Sequence, residues 1–130
     1  GQILPRHFHY EKTEDIINRC GGTLCVEVWN SKPESEGYAV DYESDVTVYC
    51  DGMKVTVPAG GVVKVTNGNS ITLTPYIYHR FYAEGGELIV GEVSKVNDDA
   101  KDNHFSEETH HSIEEDEPVR HLLCGGYVME

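Results

Sequence analysis

Short β-forming segments, cut at near-regular intervals by glycine-containing turns, restrict the fold more than any other feature of this chain. Residues 23–29, 45–50, 53–57, 62–65, 70–73 and 87–93 are rich in Val, Ile, Thr and Leu. Between them stand Asp51-Gly52, Pro58-Ala59-Gly60-Gly61, Asn67-Gly68-Asn69 and Glu84-Gly85-Gly86. Asp-Gly between two such runs signals a tight hairpin, because the favoured turn needs positive φ at both central residues. The pattern predicts an all-β fold, an antiparallel sandwich or barrel. At 130 residues it is a single domain spanning 1–130.

The remaining segments fit around that frame. Residues 14–19 have the composition for one helical turn, and 31–44 read as a polar, acidic surface loop with a short strand near 38–40. Residues 97–118 are strongly acidic and aperiodic, yet an apolar run resumes at 119–124. A long loop inside a compact domain is more often functional than idle.

Charge narrows the partners. Ten Lys and Arg against 23 Asp and Glu leave a formal charge of −13, which repels phosphate backbones and anionic membranes. Nucleic acid and membrane partners are therefore not expected, and a neutral small molecule suits the chain better than a phosphorylated one. No apolar run approaches the roughly 18 residues of a membrane span. Cys20, Cys25, Cys50 and Cys124 form no CxxC pair and read as buried free thiols of a reducing cytosol.

The chemistry-bearing cluster lies near the start, in HFHYEKTED. His7 and His9 are two positions apart, so on an extended strand both imidazoles point to one side. Glu14 lies five positions beyond His9, which on a regular strand is the opposite side, so a bend or bulge around 10–13 is required to return it. A further ligand must come from elsewhere in the sheet. His79, in a strand-like run after a proline turn, is the best candidate, ahead of His104, His110, His111 and His121. The competing reading is a polar turn with hydrogen-bonded imidazoles.

The spacing Gly1-x5-His7-x-His9-x4-Glu14-x6-Gly21 resembles the first motif of the cupin superfamily. Gly68 and His79 stand at the separation of its second motif, although Thr74, Tyr76 and Ala83 replace the usual Pro, Gly and Asn. Tyrosine accepts a positive φ less readily than glycine, so that turn is expected to differ in backbone. More narrowly, HFHYEKTEDIINRCGG, YHRFYAE, GEVSKVNDDAKDNHF and IEEDEP resemble the D-lyxose isomerase family of cupin sugar isomerases.

That resemblance implies a cupin-type antiparallel β-barrel (a double-stranded β-helix, or jelly roll), with 97–118 as an acidic loop over its mouth. It implies a divalent metal, commonly Mn2+, held by His7, His9, Glu14 and His79. Co2+, Fe2+, Ni2+ or Zn2+ suit the same ligands. Lys12 and one glutamate of 114–117 are implied to be catalytic, with Glu115 chosen over Glu114 and Glu117. The implied reaction interconverts D-lyxose with D-xylulose, and D-mannose with D-fructose, through a cis-enediol, in a cytoplasmic homodimer. The family usually carries a further region ahead of the barrel, and an opening on Gly1 rather than Met leaves two readings, missing upstream sequence or a cloning residue. Two alternatives remain open: a cupin oxygenase or decarboxylase, and a non-catalytic sugar-binding module.

Overall fold

Inward-pointing apolar side chains recur at every second position of the strands: Leu24, Val26 and Val28, then Val46 and Val48, Val63 and Val65, and Ile71 and Leu73. All are buried, and with Ile16 they form the main core. The computed structural model describes residues 4–98 and 100–107. Its strands are β1 (His7–Phe8), β2 (Glu14–Ser31), β3 (Val40–Asp41), β4 (Val46–Cys50), β5 (Met53–Val57), β6 (Gly61–Val65), β7 (Ser70–Leu73), β8 (Ile77–Ser94) and β9 (His104–Phe105). The one regular helical element among the described residues is a 3-10 turn at Glu34–Glu36.

The strands make one antiparallel sheet ordered β5-β4-β7-β2-β8-β1-β9, with β3 and β6 also pairing to β2. Strand β2 is its spine. Glu14 to Ile17 pair with β7, Leu24 to Val28 pair with β6, and β8 follows β2 from Glu14↔Ser94 to Asn30↔Ile77. That ladder is interrupted by register shifts between Asn18 and Cys20 and between Gly21 and Thr23. Gly21 takes φ +102° there, and a Cβ on it would lie 2.2 Å from the Glu87 carbonyl oxygen, so no side chain fits. The two bulges bend both long strands, and the sheet curls into a half-barrel. This is the all-β, cupin-type antiparallel architecture expected.

The Asp51-Gly52 hairpin is present, with φ of 48° and 80° and Cys50 opposite Met53. Three expectations are corrected. Residues 14–19 are extended rather than helical, because Glu14 to Ile17 pair with both β7 and β8, whereas one isolated helical turn has too few bonds to offset its nucleation cost. Glu84 to Gly86 do not end a strand. Gly85 and Gly86 have positive φ, but they lie across from the Gly21 kink and β8 continues through the bend. Cys20, at that kink, is exposed, while Cys25 is buried and Cys50 half-buried. Cys124 and the apolar run 119–124 lie outside the described residues.

A second apolar cluster, Phe8, Trp29 and Tyr78, packs with Tyr10, Tyr38, Val40 and Ala59 beside β1. Tyr76 keeps the left-handed conformation usual for glycine, with φ 66°, as does Tyr38 with φ 56°. Each such residue costs about 1–2 kcal/mol. Their rings stack on one another at 5.9 Å, and the Tyr76 N–H donates to the His9 carbonyl at 3.0 Å. The turn thus holds its backbone form despite the substitution, and it is tied directly to the histidine segment.

Candidate metal centre

Strand pairing assembles the cluster. His7 sits opposite His79 in the β1–β8 ladder, where facing side chains are close neighbours, and the ring centroids are 4.4 Å apart. His9 follows with the same parity, its ring 5.0 Å from His7 and 5.5 Å from His79. One ring nitrogen from each of the three lies within 4.8 Å of the others. All three residues are buried.

The other ring nitrogens are anchored. His7 Nδ1 donates to the Pro5 carbonyl at 2.8 Å, His9 Nδ1 to Asp102 at 2.9 Å, and His79 Nδ1 to Ile77 at 3.0 Å. A carbonyl only accepts, so each Nδ1 carries a proton and Nε2 is the ring nitrogen left facing the shared space. Hydrogen bonding of this kind orients metal-binding imidazoles.

Glu14 opens β2 on the inward side, only 3% exposed at its side chain. Its Oε1 lies 3.0 Å from His79 Nε2, and its Oε2 lies 3.4 Å from His9 Nε2. The bend required at 10–13 is present between β1 and β2. Glu14 therefore flanks the triad, touching two of its members. His9 Nε2 is fully buried yet has no hydrogen-bond partner, since its approach to Glu14 is too poorly aligned. An orphaned buried acceptor beside a carboxylate is costly unless something electropositive joins it. Three neutral imidazoles and one carboxylate suit a first-row divalent ion. The residues fit a metal, and the buried His7–His9–His79 cluster could hold one.

The electrostatics divide the two neighbouring rings. Burial pushes His7 down to about 4, helped by the neighbouring His79, so the ring is neutral near pH 7. His9 is raised: burial alone would lower it, but the Glu14 carboxylate outweighs that. Burial would raise Glu14, yet His79 and His9 hold it well below the usual carboxylate range.

Lys12 is not solvent-facing. It is 5% exposed, with its Nζ 3.1 Å from Glu14 Oε2, 2.9 Å from Glu92 Oε1 and 3.1 Å from Asn97 Oδ1. Burial would lower its ammonium, but bonds to Glu92 and Glu14 raise it, so it is charged. A cleft of about 800 Å³ opens against the 10–12 bend; Lys12 and Asp102 line it, and none of the three histidines does.

Glu114, Glu115 and Glu117 lie outside the described residues, as do His110, His111 and His121. His104 sits in β9, where its ring stacks on Phe8 and its Nδ1 meets the Tyr10 hydroxyl at 2.7 Å. Sequence reasoning passed over Glu92 and Asp102. A buried bend leaves backbone N–H groups needing an acceptor, but composition gives no hint of which acidic residue of 97–118 answers that need.

A family model described as D-lyxose isomerase matches residues 1–127. A D-lyxose/D-mannose isomerase of Escherichia coli O157:H7 is 45% identical over 130 residues, covering 97% of this chain and 56% of its own. One of Serratia proteamaculans is 47% identical over 131 residues, covering 98% and 56%. The chain thus spans a little over half the length of these curated relatives.

Proposed function

The chain belongs to the D-lyxose isomerase family, and from that premise we propose that it is a metal-dependent aldose–ketose isomerase acting on free D-lyxose and D-mannose. The observation that carries this reading is the set of three buried imidazoles, each anchored through Nδ1, beside a carboxylate that also meets a buried ammonium. An oxygenase would have little use for that ammonium, and retention of His7, His9, Glu14 and His79 together argues against a non-catalytic sugar module.

His7, His9, Glu14 and His79 would hold the cation, with Mn2+ as the proposed ion. When bound, it supplies Lewis acidity toward the substrate's carbonyl and hydroxyl oxygens. Isomerisation removes a proton from C2, returns one to C1, and moves a hydroxyl proton from O2 to O1. Glu115 is the proposed carbon base, with Glu114 and Glu117 as alternatives. Lys12 serves the oxygens, giving a proton to O1 and recovering one from O2. Of its three acceptors, Glu92 is 44% exposed at its side chain and is the one a substrate oxygen can replace. A neutral sugar suits a chain of charge −13, and the cluster's burial excludes bulk water from the reacting atoms.

The same reading makes the protein a cytoplasmic homodimer. Cys20, Cys25 and Cys50 are free thiols, in keeping with a reducing compartment. No helix among the described residues is long and apolar enough to cross a membrane. The test is direct: Mn2+-loaded protein, kept anaerobic with D-lyxose, is expected to yield D-xylulose. No ketose from D-lyxose or D-mannose would overturn the reading, and turnover that needs oxygen would replace it with an oxygenase.

A further inference from the structure

The bend that carries His9, Lys12 and Glu14 into place is closed by a residue ninety positions away. Between β1 and β2 the backbone N–H groups of Glu11 and Lys12 have left one ladder without entering the next. Both donate to the Asp102 carboxylate, Glu11 to Oδ1 at 2.7 Å and Lys12 to Oδ2 at 3.0 Å. The Asp102 carbonyl accepts from His9 Nδ1 at 2.9 Å, and its own N–H donates to the Asp98 carbonyl at 2.9 Å. Asp102 is 8% exposed. One residue at the start of the acidic segment therefore grips the bend with its side chain and orients an imidazole with its main chain.

We infer that Asp102 is a positioning residue of the metal centre, a clasp that fixes the His9 ring and the Lys12 stem together. The inference rests on the proposed metal reading. Its physical basis is that both carboxylate oxygens are committed to adjacent backbone donors. Bonds to an ionised acceptor are roughly twice as strong as neutral ones, and two of them hold the bend more firmly than one. If the carboxylate lets go, the carbonyl that points His9 Nδ1 moves with it. The Nε2 lone pair then loses its aim, and the Lys12 backbone loses its anchor.

The test compares Asp102→Ala and Asp102→Asn with the unmodified full chain. Mn2+ affinity is measured by titration calorimetry, and the His9 tautomer by long-range 1H–15N NMR on chelator-treated protein. Asp102→Ala is expected to weaken Mn2+ binding about 10–100-fold, the usual range for groups that orient metal ligands, and to let His9 populate the Nε2–H tautomer. Asp102→Asn keeps one accepting oxygen and is expected to recover part of both. Binding by folded Asp102→Ala within about twofold of the unmodified chain, against that range, would overturn the inference. If Asp102→Ala does not fold, the His9 tautomer in Asp102→Asn decides, and a ring unmoved by that substitution overturns the inference. If the unmodified chain takes up no Mn2+, the metal reading fails. The His9 tautomer then decides alone, and a ring unmoved by the substitution overturns the clasp as well.

Discussion

His7 faces His79 directly across the β1–β8 ladder, with ring centroids 4.4 Å apart. Backbone hydrogen bonds hold that pairing, so deleting either ring leaves the strands in register. His79→Ala is expected to keep the β circular-dichroism spectrum while Mn2+ affinity falls by more than about 100-fold, beyond the loss typical of a merely orienting group. Calorimetric titration checks it, and a near-native affinity would remove His79 from the ligand set.

Lys12 should separate binding from chemistry. Its Nζ touches Glu14 without belonging to the triad. Lys12→Ala is expected to lower kcat on D-lyxose by about 10²–10⁴-fold, the usual worth of a positioned proton donor, with a far smaller change in Mn2+ affinity. Lys12→Arg should not restore the rate, since a planar guanidinium cannot replace a compact ammonium among three acceptors.

His7 gives the metal-free protein a defined pH response. Its folded value is lowered from 6.5 to about 4, so the unfolded chain binds more protons in that window. The stability it contributes is full above 6.5 and is lost as pH falls toward 4, at up to about 1.4 kcal/mol per pH unit. His9 is raised and has the opposite sign: its contribution is present at low pH and lost as pH rises through its folded value. Glu14 is lowered, and its contribution disappears only in stronger acid. His7→Gln is expected to flatten the decline in urea-measured stability between about pH 7 and about pH 5. An unchanged slope would show that His7 is not buried as described.

The β2–β8 kink depends on Gly21. Gly21→Ala combines an unfavourable φ with a clash against the Glu87 carbonyl, whereas Gly37→Ala at φ +65° meets nothing within 4 Å. Both should destabilise, the first by clearly more than about 1 kcal/mol and the second by about that much. Urea denaturation of the two variants side by side tests the difference, and equal costs would mean the kink relaxes easily.

Much of the sheet was legible in advance. Apolar residues at every second position marked β4 to β7 nearly to the residue, and Asp51-Gly52 marked its hairpin, because both signals are local. The readings that failed, 14–19 and 84–86, concern residues whose conformation is set by partners far along the chain. The two bulges of β2 and the glycines of β8 make sense only when seen across the ladder from each other.

The same division holds at the centre. Parity alone put His7 and His9 on one side of a strand, and required a bend before Glu14. Only the folded chain decided that Lys12 is buried against Glu14 and Glu92, that all three imidazoles are tied down through Nδ1, and that Asp102 closes the bend. Side-chain alternation is written into consecutive residues and can be read one after another. A hydrogen bond between positions 11 and 102 depends on where two distant loops come to rest, and that is settled by packing of the whole sheet.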